Sequence, residues 1–202
     1  MASNPLQGAR FVLAAHRIDQ LPPDAGAEVA FAGRSNAGKS SALNAMTAHK
    51  SLARTSKTPG RTQQLVVFTL GGHARLIDLP GYGYAKVPEA LRKHWRGEID
   101  AYLRLRRSLR GLVLIVDIRH ELKEFDRLML GFCAATALPC HVLLTKADKL
   151  SRGQAGSALQ AARKLFAAQG WNASAQVFSS SVPTGVDEAR AAVMTFMATA
   201  RD

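Results

Sequence analysis

The sequence is short of cysteine, of aromatic residues and of long apolar runs. Its 202 residues include two cysteines, and aromatic residues make up 6%. Two cysteines cannot form a disulfide scaffold, so we expect Cys133 and Cys140 to be reduced thiols in a cytoplasmic protein. The densest apolar stretch, 112–116, stops at Asp117, far short of the roughly 18 residues of a membrane span. No signal-peptide pattern is visible near Met1, so we expect no signal peptide there.

Acidic residues are also scarce. Fifteen Asp and Glu stand against 27 Lys and Arg, which gives a formal net charge of +12. This excess is larger than the roughly 2 to 8 charges that solubility requires. Because it attracts polyanions, we expect contact with nucleic acid or ribonucleoprotein. The apolar fraction of 47% is that of a folded globular chain and excludes a disordered one.

Strand-like and helix-like segments alternate along most of the chain. Residues 112–116 are apolar throughout, which is typical of a strand buried on both faces of a parallel sheet. The alternation predicts an open α/β sheet with helices on both faces. We expect residues 1–25 to be an N-terminal extension outside the core and 26–202 to be one domain. The predicted strands are 28–32, 64–70, 74–78, 111–118, 140–145 and 175–179, and the predicted helices are 41–47, 88–105, 154–169 and 182–199.

A phosphate-binding loop follows the first of these strands. Residues 33–40 match the pattern G-x-x-x-x-G-K-[ST] between an apolar run and a helix-like stretch. Gly33 and Gly38 allow backbone N–H groups to turn toward phosphate oxygens, and the helix N-terminus adds positive partial charge. We expect Lys39 to reach the β- and γ-phosphates and Ser40 to bind Mg²⁺. The hydrolase pattern G-x-S-x-G fails because Ala37 replaces its second glycine. The loop consists of Gly33, Arg34, Ser35, Asn36, Ala37, Gly38, Lys39 and Ser40.

Three further segments, each at the end of a predicted strand, indicate which nucleotide binds. Asp78 can hold Mg²⁺ through water, and Gly81 can donate its N–H to the γ-phosphate. The Asp148 carboxylate only accepts hydrogen bonds, which suits the N1–H and N2–H₂ donors of guanine and not the acceptor N1 of adenine. Lys146 can lay its aliphatic stem across the base, and the backbone after Phe178 can reach O6. The segments are Asp78, Leu79, Pro80 and Gly81; Thr145, Lys146, Ala147 and Asp148; and Phe178, Ser179 and Ser180.

On these motifs the sequence resembles the EngB family of bacterial ribosome-biogenesis GTPases, within the translation-factor-type GTPases. The likeness runs from near Phe11 to the C-terminal helix, and the GYGYA run at 81–85 is its most specific part. It implies a three-layer P-loop NTPase fold with a six-stranded, mostly parallel sheet and one antiparallel edge strand. It also implies that Thr62 senses the γ-phosphate through Mg²⁺, so that Ser40 and Thr62 are the metal ligands. The guanine motif of the family usually begins with Asn, so Thr145 is expected to brace the loop more weakly. The implied switch loop comprises Gly60, Arg61, Thr62, Gln63 and Gln64.

The resemblance implies a slow GTPase that acts as a molecular switch in assembly of the large ribosomal subunit. Lys39, Thr62 and Gly81 are the expected catalytic residues, with GTP or GDP and Mg²⁺ as ligands. Many GTPases carry a water-orienting glutamine directly after the equivalent of Gly81. Tyr82 stands there in this chain, which predicts slow hydrolysis that a ribosomal partner or K⁺ stimulates. Asn36 is the hypothetical K⁺ ligand, and a plain turn residue is the alternative. The family also implies a link to cell growth, division and septation.

Basic clusters favour ribosomal RNA as a partner, and the resemblance implies that this RNA belongs to the large ribosomal subunit; we expect the protein to be a monomer. Such binding should weaken steeply with salt because it releases counterions from the RNA. The clusters are Arg54, Lys57 and Arg61; Arg92, Lys93 and Arg96; and Arg104, Arg106, Arg107 and Arg110.

Two other functions stay open at this point. A phosphate-loop ATPase or small-molecule kinase would need a lid and an acceptor site, and would not need Asp148 to read guanine. Thermal shifts with GTP and with ATP separate this function from a GTPase. An RNA-binding assembly module with structural GDP would bind RNA equally in both nucleotide states.

Overall fold

One seven-stranded sheet organises the part of the chain that the structure describes. The computed structural model describes residues 4–53, 64–82 and 89–199, and the side chains of all of these except 89–96. Within these ranges the strands are β1 (Arg10–Ala15), β2 (Ala27–Gly33), β3 (Leu65–Gly71), β4 (Ala74–Asp78), β5 (Leu109–Asp117), β6 (Cys140–Thr145) and β7 (Ala173–Val177). The α-helices are α1 (Lys39–Thr47), α2 (Glu89–Leu105), α3 (Glu124–Ala135), α4 (Arg152–Ala168) and α5 (Val186–Ala198).

The sheet is mostly parallel, with the spatial order β1-β3-β4-β2-β5-β6-β7. β2 pairs in parallel with β4 and β5, and parallel pairing continues through β6 to β7. β3 is antiparallel to β4, but it is not the edge, because β1 pairs with its other side. The predicted α/β fold with a mostly parallel sheet is confirmed. The expected position of the antiparallel strand at the edge is wrong, and the expected six strands are one too few.

The segment predicted as an extension outside the core contains that additional strand. Residues Arg10–Ala15 form β1, and Leu6 and Ala15 are buried. The expectation is therefore wrong for this part of residues 1–25. The pairing register shifts between Phe11 and Leu13, and both Phe11 and Val12 are exposed. This irregularity breaks the two-residue alternation by which sequence analysis detects a half-buried strand.

Apolar residues of the central strand point to both faces of the sheet. Leu112 and Leu114 of β5 belong to one buried cluster, with side chains from α2, α3 and α4. Val113 and Ile115 belong to a second cluster, with side chains from α1 and α5. This arrangement confirms a central strand buried on both sides, and it produces the three-layer architecture.

Helix boundaries follow the capping residues. At the start of α4, Ser151 Oγ accepts from Gln154 N at 3.3 Å and the Gln154 side chain accepts from Ser151 N at 3.0 Å, which is a capping box. The helix therefore begins two residues before the predicted position 154. Sequence analysis missed α3, whose apolar pattern includes the exposed Leu128. In the described ranges, no helix combines the length and the apolar character that crossing a membrane requires.

A buried charged cluster lies at the end of β2 that is remote from the phosphate loop. The fully buried Glu28 accepts hydrogen bonds from Arg106 Nη2 at 2.7 Å, Arg75 Nη1 at 3.1 Å and the Tyr102 hydroxyl at 3.0 Å. Arg106 is 7% exposed. It is therefore not available to RNA, and its placement in a basic surface cluster is wrong. Two other clusters fall outside the described residues: Arg54, Lys57 and Arg61 entirely, and Arg92, Lys93 and Arg96 in their side chains.

Candidate nucleotide-binding site

The predicted phosphate loop joins the end of β2 to the start of α1. Gly38 directly precedes the helix with a φ of +100°, in the left-handed region that glycine adopts without strain. Asn36 is also left-handed, with a φ of +63°, which Asn tolerates better than most residues. Gly33 has no room for a side chain, since a Cβ there would lie 2.7 Å from Ile115 O. The N–H groups of the first helical turn lie next to this loop, and such an arrangement binds phosphate.

The Lys39 ammonium and the Asp78 carboxylate form a buried ion pair beneath the loop. Lys39 Nζ donates to Asp78 Oδ1, and the two side chains are 9% and 4% exposed. Burial raises the pKa of the Asp78 carboxyl, while the adjacent ammonium opposes this shift. The pair compensates both charges inside the protein. Phosphate oxygens are anionic partners of the same kind for an ammonium group.

Gly81 and Tyr82 run alongside the phosphate loop. Ser35 N donates to Tyr82 O at 2.8 Å, and Tyr82 N donates to Gly33 O at 3.4 Å. A Cβ on Gly81 would lie 3.5 Å from Ser35 N, so this backbone approaches the loop closely. The Tyr82 side chain turns away from the loop toward α3. Its ring centroid is 4.1 Å from that of Phe125.

Two side chains at the end of β6 brace the phosphate loop from the guanine-motif side. The Thr145 hydroxyl donates to Ala37 O at 2.5 Å, so the expected bracing by a hydroxyl is present. Lys146 Nζ donates to Asn36 O at 2.6 Å and lies 2.8 Å from Asp117 Oδ2. These contacts hold the phosphate loop and the guanine motif next to each other.

Asp148 is held by the loop that follows β7. The Ser179 hydroxyl donates to Asp148 Oδ1 at 2.6 Å, and Lys149 Nζ lies 3.1 Å from Asp148 Oδ2. The hydrogen bond from Ser179, with Lys149 adding to it, lowers the pKa of Asp148. Ala147 N also donates to Phe178 O at 3.1 Å. The carboxylate is therefore ionised at neutral pH and positioned as an acceptor.

Sequence analysis missed Asp117 and Arg119, which lie at the same edge of the sheet. Arg119 donates to both carboxylate oxygens of Asp117, at 2.9 and 2.7 Å. Although burial opposes it, these bonds and the one from Lys146 hold the pKa of Asp117 well below its ordinary value. Both residues, with Asn36, Arg34 and Lys146, line a cavity of about 230 Å³ between the phosphate loop and the segment that joins β5 to α3. The signal was available, because Asp117 ends the central parallel strand at the edge where such sheets bind ligands.

Three further groups of predicted site residues differ in where they lie. Leu79 and Phe178 are buried in the apolar clusters, so only their backbone can serve the site. The Gln64 side chain contacts His16, with 2.8 Å between Gln64 Nε2 and His16 Nε2. The third group lies outside the described residues and comprises Gly60, Arg61, Thr62 and Gln63.

A family model described as a 50S ribosome-binding GTPase matches residues 28–146. A probable GTP-binding protein EngB from Stenotrophomonas maltophilia is 60% identical over 189 residues, which cover 93% of this chain and 94% of that protein. Its counterpart from Xanthomonas euvesicatoria is 57% identical over 93% of this chain and 91% of its own length.

Solved structures share the fold at low sequence identity. The crystal structure of a probable GTP-binding protein engB superposes with a TM-score of 0.66 at 21% identity, over 85% of this chain and 98% of that chain. The crystal structure of Era in complex with MgGDPNP and a segment of 16S ribosomal RNA gives a TM-score of 0.66 at 19% identity, over 87% of this chain and 58% of that chain. At these identities the likeness concerns the fold alone.

Proposed function

Because this chain belongs to the EngB family of GTP-binding proteins, we propose that it is a molecular switch in assembly of the large ribosomal subunit. It binds guanine nucleotides and hydrolyses GTP, as the family does. The description of the matching family model supports the 50S subunit as the partner. A role in cell growth, division and septation, in the cytoplasm, is part of the same proposal.

The placement of the nucleotide rests on the contacts that join the two halves of the site. Lys146 Nζ donates to Asn36 O in the phosphate loop. Two residues after Lys146, the Asp148 carboxylate accepts a hydrogen bond from the Ser179 hydroxyl. We place the phosphates against the N-terminus of α1 and the guanine base against Asp148. The N1–H and N2–H₂ groups of the guanine base donate to the Asp148 carboxylate, and the backbone of Ser179 and Ser180 contacts the O6 atom of the base.

The oxygen donors at the site fit Mg²⁺. Ser40 offers a hydroxyl at the start of α1, and the Asp78 carboxylate beside Lys39 is the kind of hard oxygen ligand that Mg²⁺ prefers. Thr62, the second proposed protein ligand, lies outside the described residues. When bound, Mg²⁺ neutralises charge on the β- and γ-phosphates.

Hydrolysis in the absence of a partner is proposed to be slow. The Tyr82 side chain packs on Phe125 of α3 and is not directed at the phosphate loop. The chain therefore lacks at this position a group that orients the attacking water. An arginine finger supplied by a partner is worth roughly 10³–10⁵-fold in rate. Turnover of tens of GTP per second by the purified protein alone would contradict the proposal.

Stimulation by K⁺ is a separate part of the proposal and concerns Asn36. The left-handed backbone already gives an Asn at this position a conformational role. GTP turnover measured in KCl and in NaCl at equal ionic strength tests whether Asn36 has a second role. Equal rates in the two salts would remove K⁺ from the mechanism.

The proposed switch acts through the loops that hold the γ-phosphate. Gly81 lies beside the phosphate loop. Thr62, which is outside the described residues, is the second proposed sensor of the γ-phosphate, through Mg²⁺. GTP would hold both loops, and hydrolysis would release them. Co-sedimentation with 50S subunits and their precursors, in GDP and in a non-hydrolysable GTP analogue, tests this output. We expect tighter binding with the analogue and a steep loss of binding with salt. No binding contradicts the proposal, and equal binding in both states favours a module with structural GDP.

A further inference from the structure

Three polar side chains form a row across β6 and β7, on the sheet face that carries α1 and α5. His141 and Gln176 are buried, at 6% and 1% exposure, and Ser174 lies beside His141 in the pairing register. His141 Nδ1 is 2.7 Å from Ser174 Oγ, and His141 Nε2 is 2.8 Å from Gln176 Oε1. We call this hydrogen-bonded row the polar relay.

The partners of Gln176 fix the direction of every hydrogen bond in the relay. Its amide nitrogen donates to Gly185 O at 2.7 Å and to Val177 O at 3.2 Å, so its Oε1 is left to accept. His141 therefore carries its proton on Nε2 and donates to Gln176, while Nδ1 accepts the Ser174 hydroxyl proton. Burial lowers the pKa of His141, which agrees with a neutral ring at pH 7.

Gln176, at one end of the polar relay, contacts the residue where loop 178–185 joins α5. Gly185 precedes α5 with a φ of +69°, and a Cβ there would lie 2.4 Å from Gln176 Nε2. The loop 178–185 leaves β7 and closes on itself through backbone bonds between Ser179 and Thr184, at 3.1 and 3.2 Å. Gln176 thus anchors both the exit of the loop from β7, at Val177 O, and its end at Gly185 O.

The same loop carries the contacts that orient the guanine-reading carboxylate. Ser179 Oγ donates to Asp148 Oδ1 and accepts from Val182 N at 3.2 Å. Phe178 O accepts from the backbone of Ala147, directly before Asp148. A shift of the loop would therefore move both the carboxylate that reads N1 and N2 and the backbone that faces O6.

We propose that Gln176, oriented by His141, is a positioning residue for guanine recognition, which it performs by anchoring loop 178–185. This inference rests on the proposed function, since it presumes that Asp148 and the loop contact the base. The relay does not touch the nucleotide. It acts through loop geometry, so it should affect the choice between bases more than the binding of phosphates.

The test replaces Gln176 with Met, which keeps the length of the side chain and removes both donors. GDP and ADP affinities of the full chain are measured by calorimetry, and thermal stability is recorded alongside. We expect Gln176→Met to weaken GDP binding about tenfold, the equivalent of one buried hydrogen bond, while ADP binding stays within about twofold. The preference for guanine over adenine therefore falls about tenfold.

Two further variants separate positioning from stability. His141→Leu removes the group that orients the amide, should reduce the same preference, and decides the matter if Gln176→Met fails to fold. Phe166→Leu alters a buried side chain of α4 away from the loop, so it should lower the melting temperature and leave the base preference intact. An unchanged guanine preference in the relay variants, with a lower melting temperature, overturns the inference. A wild-type protein without guanine preference would instead overturn the proposed function.

Discussion

The Tyr82 hydroxyl donates a hydrogen bond of 2.5 Å to Asp126 Oδ1 in the first turn of α3. The other carboxylate oxygen of Asp126 accepts from Lys123 N at 2.9 Å. Burial, with the carboxylate of Asp126 adding to it, raises the pKa of Tyr82 well above its ordinary value. The hydroxyl therefore stays protonated and ties the residue after Gly81 to a helix rather than to the nucleotide.

Tyr82→Phe tests this assignment. The variant keeps the ring against Phe125 and loses a hydrogen bond to the buried carboxylate of Asp126, so we expect the free energy of unfolding to fall by about 1.5–3 kcal/mol. GDP affinity should stay within about twofold, because the hydroxyl faces α3. Urea denaturation and GDP titration measure the two quantities. A loss of affinity much larger than the loss of stability would place the hydroxyl in the nucleotide site and refute the assignment.

Lys39→Met tests the buried ion pair beneath the phosphate loop. In the nucleotide-free protein the change leaves the Asp78 charge buried without its partner, which should destabilise the fold by about 3–5 kcal/mol. The double variant Lys39→Met/Asp78→Asn removes both charges and should recover much of that stability. It should not recover GDP binding, since the phosphates still lack the ammonium. Denaturation of the three proteins checks the first expectation, and a double variant that binds GDP like the wild type would contradict the second.

The phosphate loop and the central strand were predictable because their signals are local. Gly33 and Gly38 stand at fixed spacing beside a continuous apolar strand, and no distant residue is needed to recognise that pattern. Strand β1 was not predictable in this way. Its bulge between Phe11 and Leu13 disrupts the alternation, and its pairing with β3 joins residues fifty or more positions apart.

The partners of charged residues were also not predictable when they lie far apart in the sequence. Arg106 sits in a basic run, yet it is buried against Glu28, 78 positions earlier in the chain. Asp117 gains its partner Lys146 only when β5 and β6 align. A composition-based argument counts such charges as surface, because it cannot know which of them meet an opposite charge inside the fold.

Asp117→Asn should show a characteristic dependence of stability on pH. The pKa of Asp117 is lowered in the folded protein, so its ionisation stabilises the fold above the unfolded value of about 3.9. That contribution is lost as pH falls through the lower folded pKa. The wild type should therefore be more stable than Asp117→Asn at pH 7, and the difference should shrink below about pH 4. Urea midpoints of both proteins across this range measure it, and a constant difference would contradict the ion-pair explanation.

The base preference of Asp148→Asn tests the central claim most directly. Xanthine carries a carbonyl at the position of the guanine N2 amino group, and the Asn side chain offers it a donor where Asp offers only acceptors. Asp187→Asn, at a carboxylate that is 92% exposed, is the matched control. In calorimetric titrations with GDP and XDP, we expect the wild type and the control to prefer GDP, and Asp148→Asn to prefer XDP. An unchanged preference for GDP in Asp148→Asn would show that this carboxylate does not read the base.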